Sequence, residues 1–430
     1  MQFTLIDFND TGIRVSNGEQ LILNSPGYAV IKDNQIAFGE TAARLTHIYP
    51  RATHSDFWYK LGQDAIHSVS NEIRHNADLA FMHLTEINEQ SGKPLSWLIA
   101  VPASFNREQL ALLLGLLSAA NFHKVKLVDS ALLASASILN HGKSLHLDIQ
   151  LHQTVITEIE CGNNNTVINS ETSTELSVLG VYEQCAKLIS EAFIDQSRFD
   201  PLHNAETEQL LYEKIPAHLA SLSNSSTVDF NIEYHGQSHH AVISRDAIIK
   251  KITPFYQAIK KKIGNTSQLI VSHRLQQLPG FLDDIENTIL LDEHAVFTGI
   301  KHYTQFIFDT DSSTNYLSEL PSLTNKKNTQ NQTDQIKKNR KITHVLISNT
   351  AFQLTNQHYF FTENHQIQES QNSDTCYSIY LNNKNWHLQS ANDKTVILND
   401  TVITEKTPLN LGDTIKTSKQ KNTVTFIEVK

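Results

Sequence analysis

Cysteine is scarce in this chain. Cys161, Cys185 and Cys376 are the only three in 430 residues, an odd number with no Cys-x-x-Cys pair. That argues against a disulfide framework and a thiolate zinc site, and points to a reducing, cytoplasmic compartment. Long hydrophobic runs are missing too. The most apolar stretch, 110–120, is broken by Gly115 and Ser118, and it falls well short of the roughly 20 apolar residues a spanning helix needs. The opening MQFTLIDFND has no basic segment followed by an apolar one, so neither a secretory leader nor direct membrane insertion is expected. Positive charge is not in excess: 35 Lys and Arg stand against 45 Asp and Glu, a formal net charge of -10. A nucleic-acid surface is therefore not expected. No Gly-x-Ser-x-Gly, His-Glu-x-x-His or Walker sequence occurs, and no catalytic residue is assigned. The 21 histidines do not supply a metal site. His239 and His240 are adjacent, so on a strand they point to opposite faces, and the others read as scattered surface histidines.

What is present is a globular composition, 40% hydrophobic and 19% charged, in a chain long enough for two to four domains. The first forty residues alternate at period two, with a hairpin signal at Asn17-Gly18 and a turn at Asp33-Asn34. Helical spacing follows from Ile73 to Ile87, closed by Gly92 and Pro94. Then come a buried strand at 97–101, a helix from Arg107 capped by Asn106, a strand at 125–128 and a helix over 130–140. Strand–helix–strand–helix implies parallel pairing. From Leu145 the pattern begins again. Alternating strands run to about 168, helices cover 180–195 and 207–222, a hairpin turns at His235-Gly236, a helix runs from Arg245 towards Lys262, and a buried strand lies at 269–271. The two halves repeat an architecture without repeating residues. Residues 311–341 are polar and read as a flexible linker, and 342–430 read as a small β-sandwich of short alternating strands.

Five segments, in order, resemble the actin and DnaK-type heat-shock-chaperone ATPase superfamily. They are IDFNDTGIRV at 6–15, VPASFNREQLALLLGLLSAANFHKVKLVDSALLASA at 101–136, LHLDIQLHQTVITEIE at 145–160, LIVSHRLQQLPGFLDDI at 269–285 and LLDEHAVFTGI at 290–300. The resemblance covers about residues 1–305. It implies a two-lobed α/β fold with an internal duplication over 1–310.

The departures bear on function. In that family both phosphate loops are glycine hairpins, whose backbone N–H groups cradle phosphate. Here Asp7 and Thr11 remain in the first loop, but Asn9 replaces the glycine. Asp148 remains in the second, with Gln150, Leu151 and His152 where glycines are expected. Ser272-His273 replaces the glycine pair that admits the adenosine, and Pro216 and Leu219 stand where the family has a Glu and a Lys. The resemblance implies that Asp7 and Asp148 hold Mg²⁺ through water. The alternative is a carboxylate that caps a strand end or faces solvent. A vestigial cofactor site would comprise Asp7, Asn9, Thr11, Asp148, Ser272 and His273, and no ATP, Mg²⁺ or other cofactor is expected there.

Residues 376–430 resemble the later strands of a forkhead-associated domain, through Trp386-His387-Leu388, the strand Val396–Asp400 and PLNLGDTIKT at 408–417. Such domains bind phosphothreonine. Ser373 and Asn399 match binding positions, but Asp374 and Cys376 replace the family's arginine and histidine. A phosphate dianion wants an arginine, so phosphopeptide binding is not expected.

The resulting expectation is a non-catalytic, pseudo-ATPase scaffold or assembly protein that binds protein partners. The alternatives are a slow ATP-binding switch and an actin-like polymer.

Overall fold

Strands that must pair in parallel are covered on both faces and so carry continuous apolar runs, whereas a half-exposed hairpin alternates. Both patterns occur here. The computed structural model describes residues 3–66, 73–139, 142–264, 268–309, 316–323, 342–347, 350–356, 358–368, 370–382, 385–391, 394–399, 401–403, 405–409, 412–417 and 423–427. The chain divides into two compact units, Met1–Asn325 and Lys326–Lys430. The first is mixed α/β, and the second is all-β among its described residues.

The first unit opens with an antiparallel meander, β1 (Thr4–Asp7), β2 (Ile13–Ser16) and β3 (Leu21–Ser25). A small sheet of β4 (Ala29–Lys32), β5 (Gln35–Phe38) and β6 (Thr53–His54) follows, with α1 (Gly39–Ala43) between its last two strands. Next come α2 (Asn76–Gln90), the fully buried β7 (Trp97–Val101), α3 (Arg107–Ala119), β8 (Val125–Asp129) and α4 (Ser130–Ser135). β7 lies parallel to β1, and β8 parallel to β7. Asn106 caps α3 in a reciprocal capping box with Gln109. The helix expected over 130–140 stops at Ser135.

The same order then recurs. β9 (Gly142–Ile149), β10 (Thr154–Cys161) and β11 (Asn164–Ser173) form a second meander. α5 (Val178–Ser197), α6 (Ala205–Ser221), the hairpin of β12 (Thr227–Tyr234) and β13 (Gln237–Ser244), and α7 (Arg245–Ile263) follow. β14 (Leu269–Val271) adds to β9 in parallel, and after the one-turn α8 (His273–Gln276), β15 (Thr288–Leu290) adds to β14 in parallel. Both sheets are thus a three-stranded meander with two parallel strands added on the outer side of its first strand. β14 is wholly buried, while β12 alternates exposed and buried residues.

Between the two sheets, α4 packs against α9 (Ala295–Asp309). Their core takes Leu5 and Leu98 from the first sheet and Ile159 and Ile270 from the second, with Leu132, Leu133, Ile300 and Tyr303 between. Gly299 permits the close approach, since a Cβ there would run into the Leu133 carbonyl.

The expected linker begins later than its polarity predicts. Within 311–341, β16 (Tyr316–Leu317) pairs with β8 and β17 (Glu319–Pro321) pairs with β11, so each sheet gains an edge strand from this segment. The Tyr316 hydroxyl donates to Asp129, and Leu317 and Leu320 are buried. The remainder of the expected linker lies outside the described residues.

In the second unit, β18 (His344–Ile347), β19 (Thr350–Gln353), β20 (His358–Thr362), β21 (Ile367–Gln368), β22 (Thr375–Asn382), β23 (Asn385–Ser390), β24 (Val396–Leu398), β25 (Thr401–Val402), β26 (Thr407–Pro408), β27 (Thr414–Thr417) and β28 (Val424–Ile427) form two antiparallel sheets. They share one core around Phe361, Tyr377, Leu388, Ile415 and Phe426. Among the described residues no helix is long and apolar enough to cross a membrane.

Candidate functional site

Because the two sheets repeat each other, β1 and β9 occupy equivalent places, and each carries an aspartate near its C-terminal end. Asp7 is 2% exposed and Asp148 9%, so neither faces solvent, and that half of the alternative expected for them does not hold. Buried carboxylates need partners. Their partner is Arg274 on α8. Its Nη2 donates to Asp7 Oδ2 at 2.7 Å and its Nη1 lies 3.3 Å from Asp148 Oδ2. Burial works to raise Asp148, but Arg274 and His146 outweigh it and hold the carboxyl below its ordinary range. Burial likewise opposes the charge on Arg274, and the two aspartates more than reverse that effect.

The residues of the first loop complete this cluster. Asn9 Nδ2 donates to Asp148 Oδ2 at 2.9 Å and to the Ile149 carbonyl at 3.0 Å. Asn9 Oδ1 accepts from the Thr11 amide at 2.9 Å and the Thr11 hydroxyl at 2.8 Å, which commits the hydroxyl locally. Asp10 Oδ1 accepts from the Leu151 amide at 2.8 Å. Burial pushes Asp10 up to about 7 despite that bond and despite Arg274.

The second loop is a tight turn between β9 and β10, with Gln150 N–H donating to the Gln153 carbonyl at 2.7 Å. Of its three replacing side chains, only Leu151 lines the large cleft cavity. Gln150 turns away, its amide oxygen accepting from Gln153 Nε2 at 2.7 Å. His152 sits against Ser55 and stacks on Tyr59 with ring centroids 5.5 Å apart. Ser272, buried beside Asp148, opens α8 and donates its N–H to the Leu147 carbonyl. His273 follows it into the cleft, where burial and Arg274 lower its imidazole to about 4.

The expected residues Asp7, Asn9, Thr11, Asp148, Ser272 and His273 therefore do converge. Sequence reading missed Arg274 and Asp10. No motif along the chain assigns Arg274, and only the meeting of β1, β9 and α8 gives it its role.

Beyond this cluster lies a cavity of about 980 Å³. Its walls include Tyr28, Tyr182, Tyr212, Pro216 and Leu219. The rim opposite Arg274 is bridged as well. Gln209 Oε1 accepts from the His47 amide at 3.0 Å, His47 Nδ1 lies 3.1 Å from Glu208, and the His47 ring stacks on Tyr212 at 3.8 Å.

Among the described residues no group of three or more His, Cys, Asp or Glu is placed to hold a metal ion. Ser25 and His83 lie 2.7 Å apart, but Trp58 Nε1 donates to His83 Nδ1. The neutral ring must then carry its proton on Nε2 and donate to Ser25, the wrong direction for a general base. The three cysteines are buried and unpaired.

In the second unit, Ser373 is exposed and, among the described residues, its hydroxyl reaches Asp374 alone, at 3.4 Å. Asn399, at φ +48, bonds to Asp413 at 2.8 Å and to the Thr414 amide at 2.9 Å, tying one turn to the next. Among the described residues no hydrogen bond joins Ser373 to Asn399.

No protein-family model matches the chain, and no curated protein matches it.

Proposed function

We propose that this is a non-catalytic scaffold: an actin/heat-shock-chaperone-like body whose nucleotide end is filled by its own side chains, joined to a forkhead-like sandwich. The repeated sheet order, with paired aspartates at equivalent places, supports the fold assignment. The observation that carries the functional reading is Arg274, whose guanidinium bridges Asp7 and Asp148. Phosphoryl-transfer sites of this kind need a hard dication between carboxylates and phosphate, with free donors to cradle the oxygens. A dication at these carboxylates would meet the guanidinium instead, and Leu151 and the committed Asn9 and Thr11 offer no cradle. Mg²⁺–ATP does not fit this residue set.

A closed body of this kind keeps surfaces for protein partners, and a second module raises the effective concentration of anything that binds both. Calorimetry with Mg²⁺–ATP and Mg²⁺–ADP, paired with melting curves, tests the reading. Ligand at a hundred times its Kd would stabilise the fold by about 2.7 kcal/mol. The scaffold reading expects neither heat nor shift at millimolar nucleotide. Tight binding that Asp7→Ala or Asp148→Ala abolishes would make the protein a nucleotide-controlled switch.

A further inference from the structure

The large cavity survives although its phosphate end is filled. Its volume of about 980 Å³ lies at the upper end of the range for small-molecule sites. We propose that this chamber binds a small organic ammonium ion, held by its tyrosine walls and the Glu213 carboxylate and away from the Arg274 end. The inference rests on the reading that the chamber is not a nucleotide site.

Charge favours a cation at one wall of the chamber, beside Glu213. Three guanidiniums line the chamber, and each is already committed: Arg14 to Glu293 at 3.2 Å, Arg44 to Glu40 at 3.3 Å, and Arg274 to Asp7 and Asp148. At the cluster end the buried Arg14, together with Arg274, stands against the buried Asp7 and Asp148, so the charge there is balanced. Glu213 adds a further carboxylate to the wall, where it accepts from Gln209 at 3.0 Å. The two imidazoles do not offset the Glu213 charge, because burial lowers both His47 and His273. Among the described residues Glu213 has no ion-pair partner, so an entering ammonium supplies the charge that this wall lacks.

The walls favour the same ligand. Tyr28, Tyr182 and Tyr212 line the cavity, and none of their hydroxyls has a hydrogen-bond partner within the protein among the described residues. Tyrosine faces attract cations, and the hydroxyl oxygens can accept from N–H donors. Burial raises Tyr28 further above the ordinary phenol range and lifts Tyr182 and Tyr212 to about 12, so all three stay neutral and hydrogen-bonding.

The test uses the full chain, with choline and putrescine as probes in about 0.15 M salt, since surface pairing is screened there. Inorganic tripolyphosphate and Mg²⁺–ATP are titrated in parallel. The expected result is a saturable melting shift with at least one amine and none with either phosphate. Glu213→Gln, on an exposed turn of α6, and Tyr182→Leu should each weaken amine affinity about fivefold, the scale of one lost cation–π contact. If Tyr182→Leu does not fold, Glu213→Lys serves as the second variant and should abolish binding. No amine shift at about 10 mM, or a shift equal in wild type and both variants, overturns the proposal. If neither amine nor nucleotide binds, only the ammonium site falls and the nucleotide-free reading stands. If Mg²⁺–ATP binds and amines do not, both fall together.

Discussion

Asn9 and Asp148 stand 139 residues apart and are joined by a buried hydrogen bond of 2.9 Å. The Asn9 side chain thus ties the first loop to the second. Its amide reaches the Ile149 carbonyl as well, so one residue satisfies two acceptors across the cleft.

Asn9→Gly should cost about 1–3 kcal/mol, the range for leaving buried acceptors without donors. Denaturant unfolding measures it. A variant as stable as wild type would show that the clamp contributes nothing.

Asp10 gives the site a pH dependence of definite sign. Its carboxyl is raised to about 7 in the fold, with burial the main cause, against an unfolded value near 4. The folded protein therefore keeps a proton that the unfolded chain releases, so this contribution is present below about pH 4 and lost as pH rises through 7. Asp10→Asn retains an acceptor for the Leu151 amide and removes that loss. It should match wild type near pH 4 and exceed it at pH 8, by on the order of 4 kcal/mol. Melting curves at the two pH values check this. A difference that does not change with pH would contradict it.

Gly299→Ala places a methyl group against the Leu133 carbonyl in the α4–α9 contact. Backbone cannot yield as a flexible side chain can, so the expected loss is about 1–3 kcal/mol or more. Thermal melting reads it directly.

In the second unit, Asn399→Ala removes the bonds to Asp413 and Thr414 and places a residue with a Cβ at φ +48. Asn399→Gly removes the same bonds without the strain. Hydrogen exchange of the β24 and β27 amides in the full chain should quicken in both, and more in Ala by about 1 kcal/mol. Equal protection in both variants would refute the strain argument.

Much of the fold was legible because local signals and burial agree. Asn17-Gly18 turns where expected, with Gly18 at φ +91, and Asn106 caps α3 as its sequence suggests. The strands inside the expected linker were not legible. Tyr316–Leu317 and Glu319–Pro321 are too short to carry a period and exist only because β8 and β11 offer open edges. At the site, the aspartates and Asn9 could be found along the chain because they stand in recognisable loops. Arg274 could not, since its role depends on β1 and β9, 267 and 126 residues away, meeting at α8. Gln150 pairs with Gln153 and His152 with Ser55, and of the three only Leu151 lines the cavity.

The central claim is that Arg274 is the counter-ion of the cleft aspartates. Its most direct test is the stability of Arg274→Met beside that of Arg274→Met/Asp7→Asn/Asp148→Asn, by denaturant unfolding at pH 7. Removing one partner of a buried ion pair costs about 3–5 kcal/mol, while replacing the whole set with neutral groups costs far less. The single variant should therefore fall by that amount and the triple variant should recover most of it. A single variant as stable as wild type, or a triple variant no better than the single, would contradict the account.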